Sequence, residues 1–225
     1  MTSVLRLREP ASAITHFVAM VFAIAGLVAT ILKALSHLNT LGLCSVIIFM
    51  SSMILLYASS ATFHGINKSA KVLEYFQKLD HMMIFVLIAG TYTPVCLLVL
   101  GGFAGQGLLV AVWALAIIGM VVKAFWIKCP KWFSSVIYIG MGWTCLACFK
   151  QILEALETKA FIWLLIGGII YTLGGIIYSL KIPGFDEKHK NFNMHDIFHL
   201  FVMGGSICHF VVMYAFVAEM PLNIF

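Results

Sequence analysis

Charge is what this sequence has least of. Of its 225 residues only nine are Asp or Glu; charged side chains make up 10%, hydrophobic ones reach 62%, and mean hydropathy is +1.04. Water-soluble domains carry about a quarter charged residues, so the composition excludes one here, and no polar stretch is long enough to form a separate soluble domain. Period-two alternation is missing from the apolar stretches, which excludes a membrane β-barrel. No internal repeat is visible, which argues against an inverted-repeat transporter. Cysteines 44, 96, 145, 148 and 208 fall inside apolar runs and Cys129 in a short loop, so the chain has no extracellular disulfide framework. Cys145-x-x-Cys148 reads as two small packing residues rather than a redox pair.

What is present is a series of seven apolar runs, at about 11–35, 41–64, 80–101, 105–127, 132–153, 160–181 and 195–218. Each is long enough to cross about 30 Å of hydrocarbon as a helix. The expected fold is therefore an all-α integral membrane protein, a seven-transmembrane helix bundle forming a single domain over residues 1–225. Lys and Arg orient it. With the N-terminus cytoplasmic, Arg6, Arg8, Lys68, Lys71, Lys78, Lys123, Lys128, Lys131, Lys181, Lys188 and Lys190 face inward, and only Lys33, Lys150 and Lys159 face outward. That is eleven of fourteen inside, so the positive-inside rule selects a cytoplasmic N-terminus, an outside C-terminus and a multi-pass place in the cell membrane. The net charge of +5 belongs to these loops and indicates no nucleic-acid partner. Arg6 and Arg8 followed by an apolar stretch and Ala23-Ile24-Ala25 imitate a secretory signal, but the run continues past Ala25, as a retained helix does.

Several features read as helix packing. Gly167, Gly168, Gly174 and Gly175 repeat at seven-residue spacing and offer a smooth face to a neighbouring helix, with Gly140 and Gly142 doing the same one span earlier. Pro94 in Gly90-Thr91-Tyr92-Thr93-Pro94 should kink the third span, with the threonines satisfying carbonyls it frees. Trp126 and Trp132 flank an inside loop as interfacial anchors, and Trp163 marks the outer boundary.

One polar constellation remains, at the inner ends of three spans. His195 and His199 are four apart, hence on one helix face, and a helix entering lipid gains nothing in packing from such a pair. The second span ends with Ser60 and His64 one turn apart, and the third begins near Asp80. Three neutral imidazoles suit zinc and leave a fourth tetrahedral position for water, which the metal acidifies and which Asp80 can orient or deprotonate. Ser60 can donate to a developing oxyanion. Burying these groups without pairing or coordination costs several kcal/mol, which weighs against three unrelated interfacial histidines. Asp196 points away from the pair and suits a helix cap. His209, ten residues beyond His199, lies about 15 Å deeper and reads as a satisfied core histidine. His16 fits beside the site, His81 should face away from Asp80, and His37 and His189 read as loop residues.

At these residues the chain resembles the hemolysin III family, the bacterial branch of the progestin and adipoQ receptor (PAQR) proteins. The resemblance spans all seven runs and rests on Glu9-Pro10-Ala11-Ser12-Ala13-Ile14-Thr15-His16, Ser60-x-x-x-His64, Lys78-Leu79-Asp80, Gly90-Thr91-Tyr92-Thr93-Pro94, and His195-Asp196-Ile197-Phe198-His199 with His209-Phe210. It implies a seven-helix fold with a cytoplasmic N-terminus and zinc held by His64, His195 and His199, with Asp80 and Ser60 close by. A wider similarity to alkaline ceramidases implies hydrolysis of a lipid amide. The long N-terminal segment of the eukaryotic receptors has no counterpart here, which counts against a hormone-receptor role.

Three functions follow as expectations: a zinc-dependent hydrolase of a lipid amide or ester, a non-enzymatic lipid sensor or membrane-homeostasis factor with structural zinc, and a cytolytic pore. Membrane lipids are the expected partners in each. The pore has least support, because a conducting path needs polar groups at the midplane and His209 is nearly alone there.

Overall fold

The computed structural model describes residues 7–180 and 193–220; Arg6, Lys181, Lys188, His189 and Lys190 lie outside these. The described residues form helices and connecting turns, without a strand. Seven helical segments are long and apolar enough to cross a membrane.

Helix α1 (Pro10–Ala34) starts at a proline, whose fixed φ suits the first helical position and whose missing N–H would be unpaired there anyway. Asn39 caps α2 (Thr40–Gly65), its side chain accepting from Gly42 N at 3.0 Å. Helix α3 (Ala70–Pro94) starts ten residues before the expected 80. Its polar first turns are held by an ion pair between Glu74 and Lys78 at 3.1 Å, one turn apart. Hydropathy alone stops at those charged residues, so it places Asp80 at a helix start, whereas Asp80 lies well inside α3.

Pro94 ends α3 by turning it into a π-helical turn, Val95–Leu100, because it offers no N–H to Gly90. The adjacent hydroxyls of Thr91 and Thr93 donate to the carbonyls of Leu87 and Ala89, 2.8 and 2.9 Å away, and not to Gly90 as the proline argument anticipates. Gly101 and Gly102, with φ of 60° and 49°, then reverse the chain into α4 (Gly102–Phe125), a conformation that side chains resist.

The fifth span is not one helix. It comprises α5 (Lys131–Gly142), a 3₁₀ turn (Thr144–Cys148) and α6 (Phe149–Ala155). Tyr92 holds the break together, its hydroxyl donating to Gly142 O at 2.6 Å and accepting from Cys145 N at 2.9 Å. Cys145 and Cys148 are both free thiols in this turn. Helix α7 (Thr158–Ser179) and α8 (Met194–Ala215) complete the bundle.

Helix α3 is the most enclosed span, with 67% of its most apolar stretch buried against 17% for the fifth, so α3 is the central post and the broken span is peripheral. The tightest pairings are α1 with α2, α2 with α3, and α7 with α8. Glycines decide the last of these. A Cβ on Gly167 would meet the His209 ring at 2.5 Å, and one on Gly174 would meet Phe201 at 2.8 Å. Gly168, Gly140 and Gly142 face open space, so the close-approach reading holds for the first two and fails for these three. Trp126, Trp132 and Trp163 are exposed at the span ends, as anchors should be.

Candidate metal centre

The centre is assembled from the first turns of α8, the last turn of α2 and the start of α1. Asn193 fixes where α8 begins: its side chain accepts from the N–H groups of His195 and Asp196 at 2.8 and 3.2 Å, and Asp196 accepts from Asn193 N at 2.7 Å. This reciprocal cap places His195 and His199 on one face, ring centroids 4.5 Å apart, and bears out the capping role read for Asp196. His64 on α2 closes the set, its ring 5.0 Å from His195 and 4.9 Å from His199. One ligand nitrogen from each of the three lies within 4.8 Å of the others.

Helix α1 buttresses each partner separately. Glu9 accepts from His64 Nδ1, while the Glu9 N–H donates to His64 O at 3.0 Å. Ser12 Oγ donates to Asp196 Oδ1 at 2.5 Å, and His16 stacks flat on His199, centroids 3.8 Å apart and planes within 7°. Positions 9, 12 and 16 share one helix face, so one stripe of α1 supports one residue of α2 and two of α8. Arg8 braces the stripe, bonded to Glu9 at 3.1 Å and lying over Phe63 at 4.3 Å. Burial pushes the Glu9 carboxyl up, but its contacts with His64 and Arg8 outweigh that and hold it below the ordinary glutamate value. His16 thus sits beside the centre as its sequence position suggests. The roles of Glu9 and Ser12 were legible only as part of a family motif; the signal was an acid followed at +3 and +7 by polar residues at the mouth of an apolar run.

The donor set fits a transition metal. With its Nδ1 proton given to a carboxylate, His64 turns a bare Nε2 toward the pair, the arrangement that fixes tautomer and ring in carboxylate–histidine–metal sites. His64 Nε2 and His195 Nε2 are 3.3 Å apart, and two nitrogens about 2.05 Å from one tetrahedral zinc stand roughly that far apart. His199 Nδ1 is buried with no hydrogen-bond partner. Neither Asp80 nor any other described acid joins the converging atoms, so the ligand set has three members.

Beside the histidines is a cavity of about 20 Å³, room for roughly one water, lined by His16, Ser60, Asp80, His81, His195 and His199. It therefore brings the expected Asp80 and Ser60 to His195 and His199, while His64 is not part of its lining. Asp80 is buried, and the buried Ser60 hydroxyl has no hydrogen-bond partner. His81 also lines this space, a correction to the expectation that it faces away from Asp80; Tyr138 donates to its main-chain carbonyl at 3.1 Å. His209 lies apart, donating to Leu164 O at 3.3 Å, and is a core histidine as expected, though its Nδ1 finds no partner.

Leu56, Ile84, Tyr138, Tyr178, Phe198 and Val202 line both this space and a second cavity of about 170 Å³. The larger chamber runs between α3, the broken fifth span, α7 and α8, walled by Ile88, Val95, Trp143, Phe161 and Leu164 among others, almost wholly apolar. Irregular backbone within a span is tolerated where it lines such a cavity, and here the break at Gly142 forms part of the wall. Tyr138 and Tyr178 are absent from the sequence reading because nothing in a tyrosine's spacing separates a cavity wall from ordinary packing.

The chain is 38% identical over 213 residues to the hemolysin-3 homolog of Bacillus subtilis (strain 168), covering 95% of this chain and 96% of that one. It is 39% identical over 203 residues to hemolysin-3 of Bacillus cereus, covering 90% and 88%. More distantly it is 25% identical over 179 residues to the adiponectin receptor protein of Drosophila melanogaster, 72% of this chain and 40% of that one. No solved structure matches. The family profile described as Haemolysin-III related matches residues 5–210, and the chain belongs to that family.

Proposed function

We propose that this protein is a membrane-embedded, zinc-dependent hydrolase of a lipid amide or ester. The observation that carries the reading is the convergence of His64, His195 and His199, with His195, His199 and Asp80 lining a small cavity that shares six wall residues with an apolar chamber. His64, His195 and His199 would hold the ion; zinc with an open position supplies Lewis-acid polarisation of an acyl carbonyl and acidifies water. The protein's own residues supply the rest. Glu9 and His16 fix the rings of His64 and His199. Asp80 takes the proton of the attacking water, and Ser60 donates to the carbonyl oxygen as negative charge builds on it. The chamber receives the acyl chain and excludes bulk water, which strengthens both interactions.

A three-histidine candidate set favours this reading over a purely structural metal, since structural zinc sites are ordinarily closed by four protein ligands. The deciding experiment is elemental analysis of detergent-purified wild type beside His195→Ala/His199→Ala, with circular dichroism to verify folding. About one zinc per chain, lost in the variant, followed by turnover of a fluorogenic lipid amide or ester, supports the hydrolase. A metal-free, well-folded wild type overturns it. Bound zinc that coordinates Asp80 and whose removal unfolds the bundle, without turnover, moves the reading to a lipid sensor with structural zinc.

A further inference from the structure

A second cluster of reactive side chains lies where α4 turns into α5. Lys123, in the last turn of α4, is 2% exposed, and among the described residues no carboxylate pairs with it. Its ammonium instead donates to Cys129 Sγ at 3.1 Å and Ser134 Oγ at 2.5 Å, and those two atoms are 3.3 Å apart, so amine, thiol and hydroxyl form a closed triangle. Cys129 and Ser134 are buried as well. A buried ammonium is ordinarily compensated by a carboxylate. A thiol and a hydroxyl can do so only weakly, and as a mere staple for the corner the trio is a poor choice. As chemistry it is coherent, because it holds an amine nitrogen against the one side-chain atom that oxidises readily.

We propose that Cys129 is an oxidative modification site whose sulfur, after reaction with a hydroperoxide, is captured by Lys123 as a covalent sulfur–nitrogen crosslink. In the first step the Cys129 sulfur attacks one oxygen of the peroxide; the O–O bond breaks, the thiol becomes a sulfenic acid, and the other oxygen leaves as water. Sulfur is oxidised by two electrons and the peroxide reduced by two. Sulfenic acids condense with nearby nitrogen or thiol nucleophiles. No second thiol contacts Cys129 among the described residues, so the neighbouring nitrogen is the available trap. In the second step the Lys123 ammonium gives one proton to Ser134 Oγ, which passes one on to solvent, and the freed amine lone pair attacks the sulfur as the S–O bond breaks. The departing hydroxide takes a second proton from the nitrogen and leaves as water. The product is a neutral S–N link.

The link removes a buried positive charge next to the site. Lys123 Nζ lies 5.8 Å from the centre of the Tyr138 ring. Tyr138 lines both cavities and donates to the main-chain carbonyl of His81. Oxidation at this corner therefore reaches the wall between the metal centre and the chamber without touching a histidine ligand.

The test uses the full chain in detergent micelles, treated with hydrogen peroxide, digested with trypsin without reductant and read by mass spectrometry. Exposed Cys44 reports that the oxidant was effective. The expected product joins the Lys123 and Cys129 peptides, is lighter than their sum by two hydrogen atoms, blocks cleavage after Lys123, and disappears on treatment with dithiothreitol. Cys129→Ser and Lys123→Arg should each abolish it, and in Lys123→Arg, which keeps the positive charge, Cys129 should progress to sulfinic acid. Oxidation of wild-type Cys129 to sulfinic acid with Lys123 still cleaved, a link that retains an oxygen from the peroxide, or an unreacted Cys129 beside an oxidised Cys44 each overturns the proposal.

Discussion

The two halves of this cavity system are built by opposite means. Around the histidines, polar partners from separate helices fix each side chain: Glu9 on His64, Ser12 on Asp196, His16 on His199 and Asn193 on the start of α8. Around the chamber, space is made by withholding packing, with a helix broken at Gly142, a π turn after Pro94 and a Gly168 that faces nothing. Tyr92, bridging Gly142 and Cys145, and Trp143, donating to Thr172 Oγ1 at 2.9 Å, tie that side together. A site that must hold an ion at fixed distances needs rigid, over-determined side chains. The proposed occupancy by a flexible acyl chain calls for volume and a yielding wall. The same bundle supplies both because α2, α3 and α8 run through the two regions and carry a different residue set in each.

The largest effect should follow from separating chemistry from metal binding on the rigid side. Asp80→Asn removes the proton acceptor but none of the three ligands, so zinc content should stay near wild type while lipid turnover falls by about 10²–10⁴-fold. Equal loss of metal and activity would show that Asp80 is itself a ligand and would erase the distinction between an open and a closed site.

Weakening the support should cost less. Glu9→Gln keeps shape and removes the charge that orients His64, and the expected result is a 10- to 100-fold drop in zinc affinity, read by competition with a chromogenic chelator. The same residue carries a pH signature. Its folded-state pKa lies below the ordinary value of 4.5, so its stabilising contribution is complete above that value and is lost as pH falls through the lower folded one. Thermal melts of the wild type should steepen in their dependence on acid below about pH 4.5, and Glu9→Gln should flatten that limb. Unchanged affinity in the variant would mean that the rings are held by packing alone.

The division between the two regions also explains what could be read from the sequence. Histidines and acids are rare in lipid, so His64, Asp80, His195 and His199 announced themselves by residue type, and the four-residue spacing of the last pair fixed their common face. The seven spans were legible for the same reason, as polar residues interrupt them. Nothing of that kind marks the chamber. Its walls are leucine, isoleucine, tyrosine and tryptophan, the residues of any span, and the break at Gly142 occurs within a run that is still apolar enough as a whole to cross a membrane. The start of α3 was missed for the converse reason: residues 70–79 are polar enough to look like a loop, and only their Glu74–Lys78 pairing and continuity with Asp80 show the helix. Buttressing by Glu9 and Ser12 was hidden because it depends on which helices become neighbours.

The smallest effects should come from two adjacent glycines, and they sharpen the comparison most directly because they differ only in which way they face. Gly167 points at α8, where an added methyl would stand 2.5 Å from the His209 ring; Gly168 points at the chamber, where nothing lies within 4 Å. Gly167→Ala must therefore push His209 or separate α7 from α8, at a cost of about 1–3 kcal/mol, seen as a lower melting temperature in detergent. Gly168→Ala adds the same methyl to open space, and its melting temperature should match or slightly exceed that of wild type, since Ala is the better helix former by about 1 kcal/mol. Zinc content should be unchanged in both, because neither position contacts a ligand histidine. If both substitutions destabilise equally, the space beside Gly168 is filled in the folded protein, and the chamber is ordinary packing rather than a site. If only Gly167→Ala does, the open volume is tolerated by the fold at no cost in stability, as the proposed binding of a lipid chain requires.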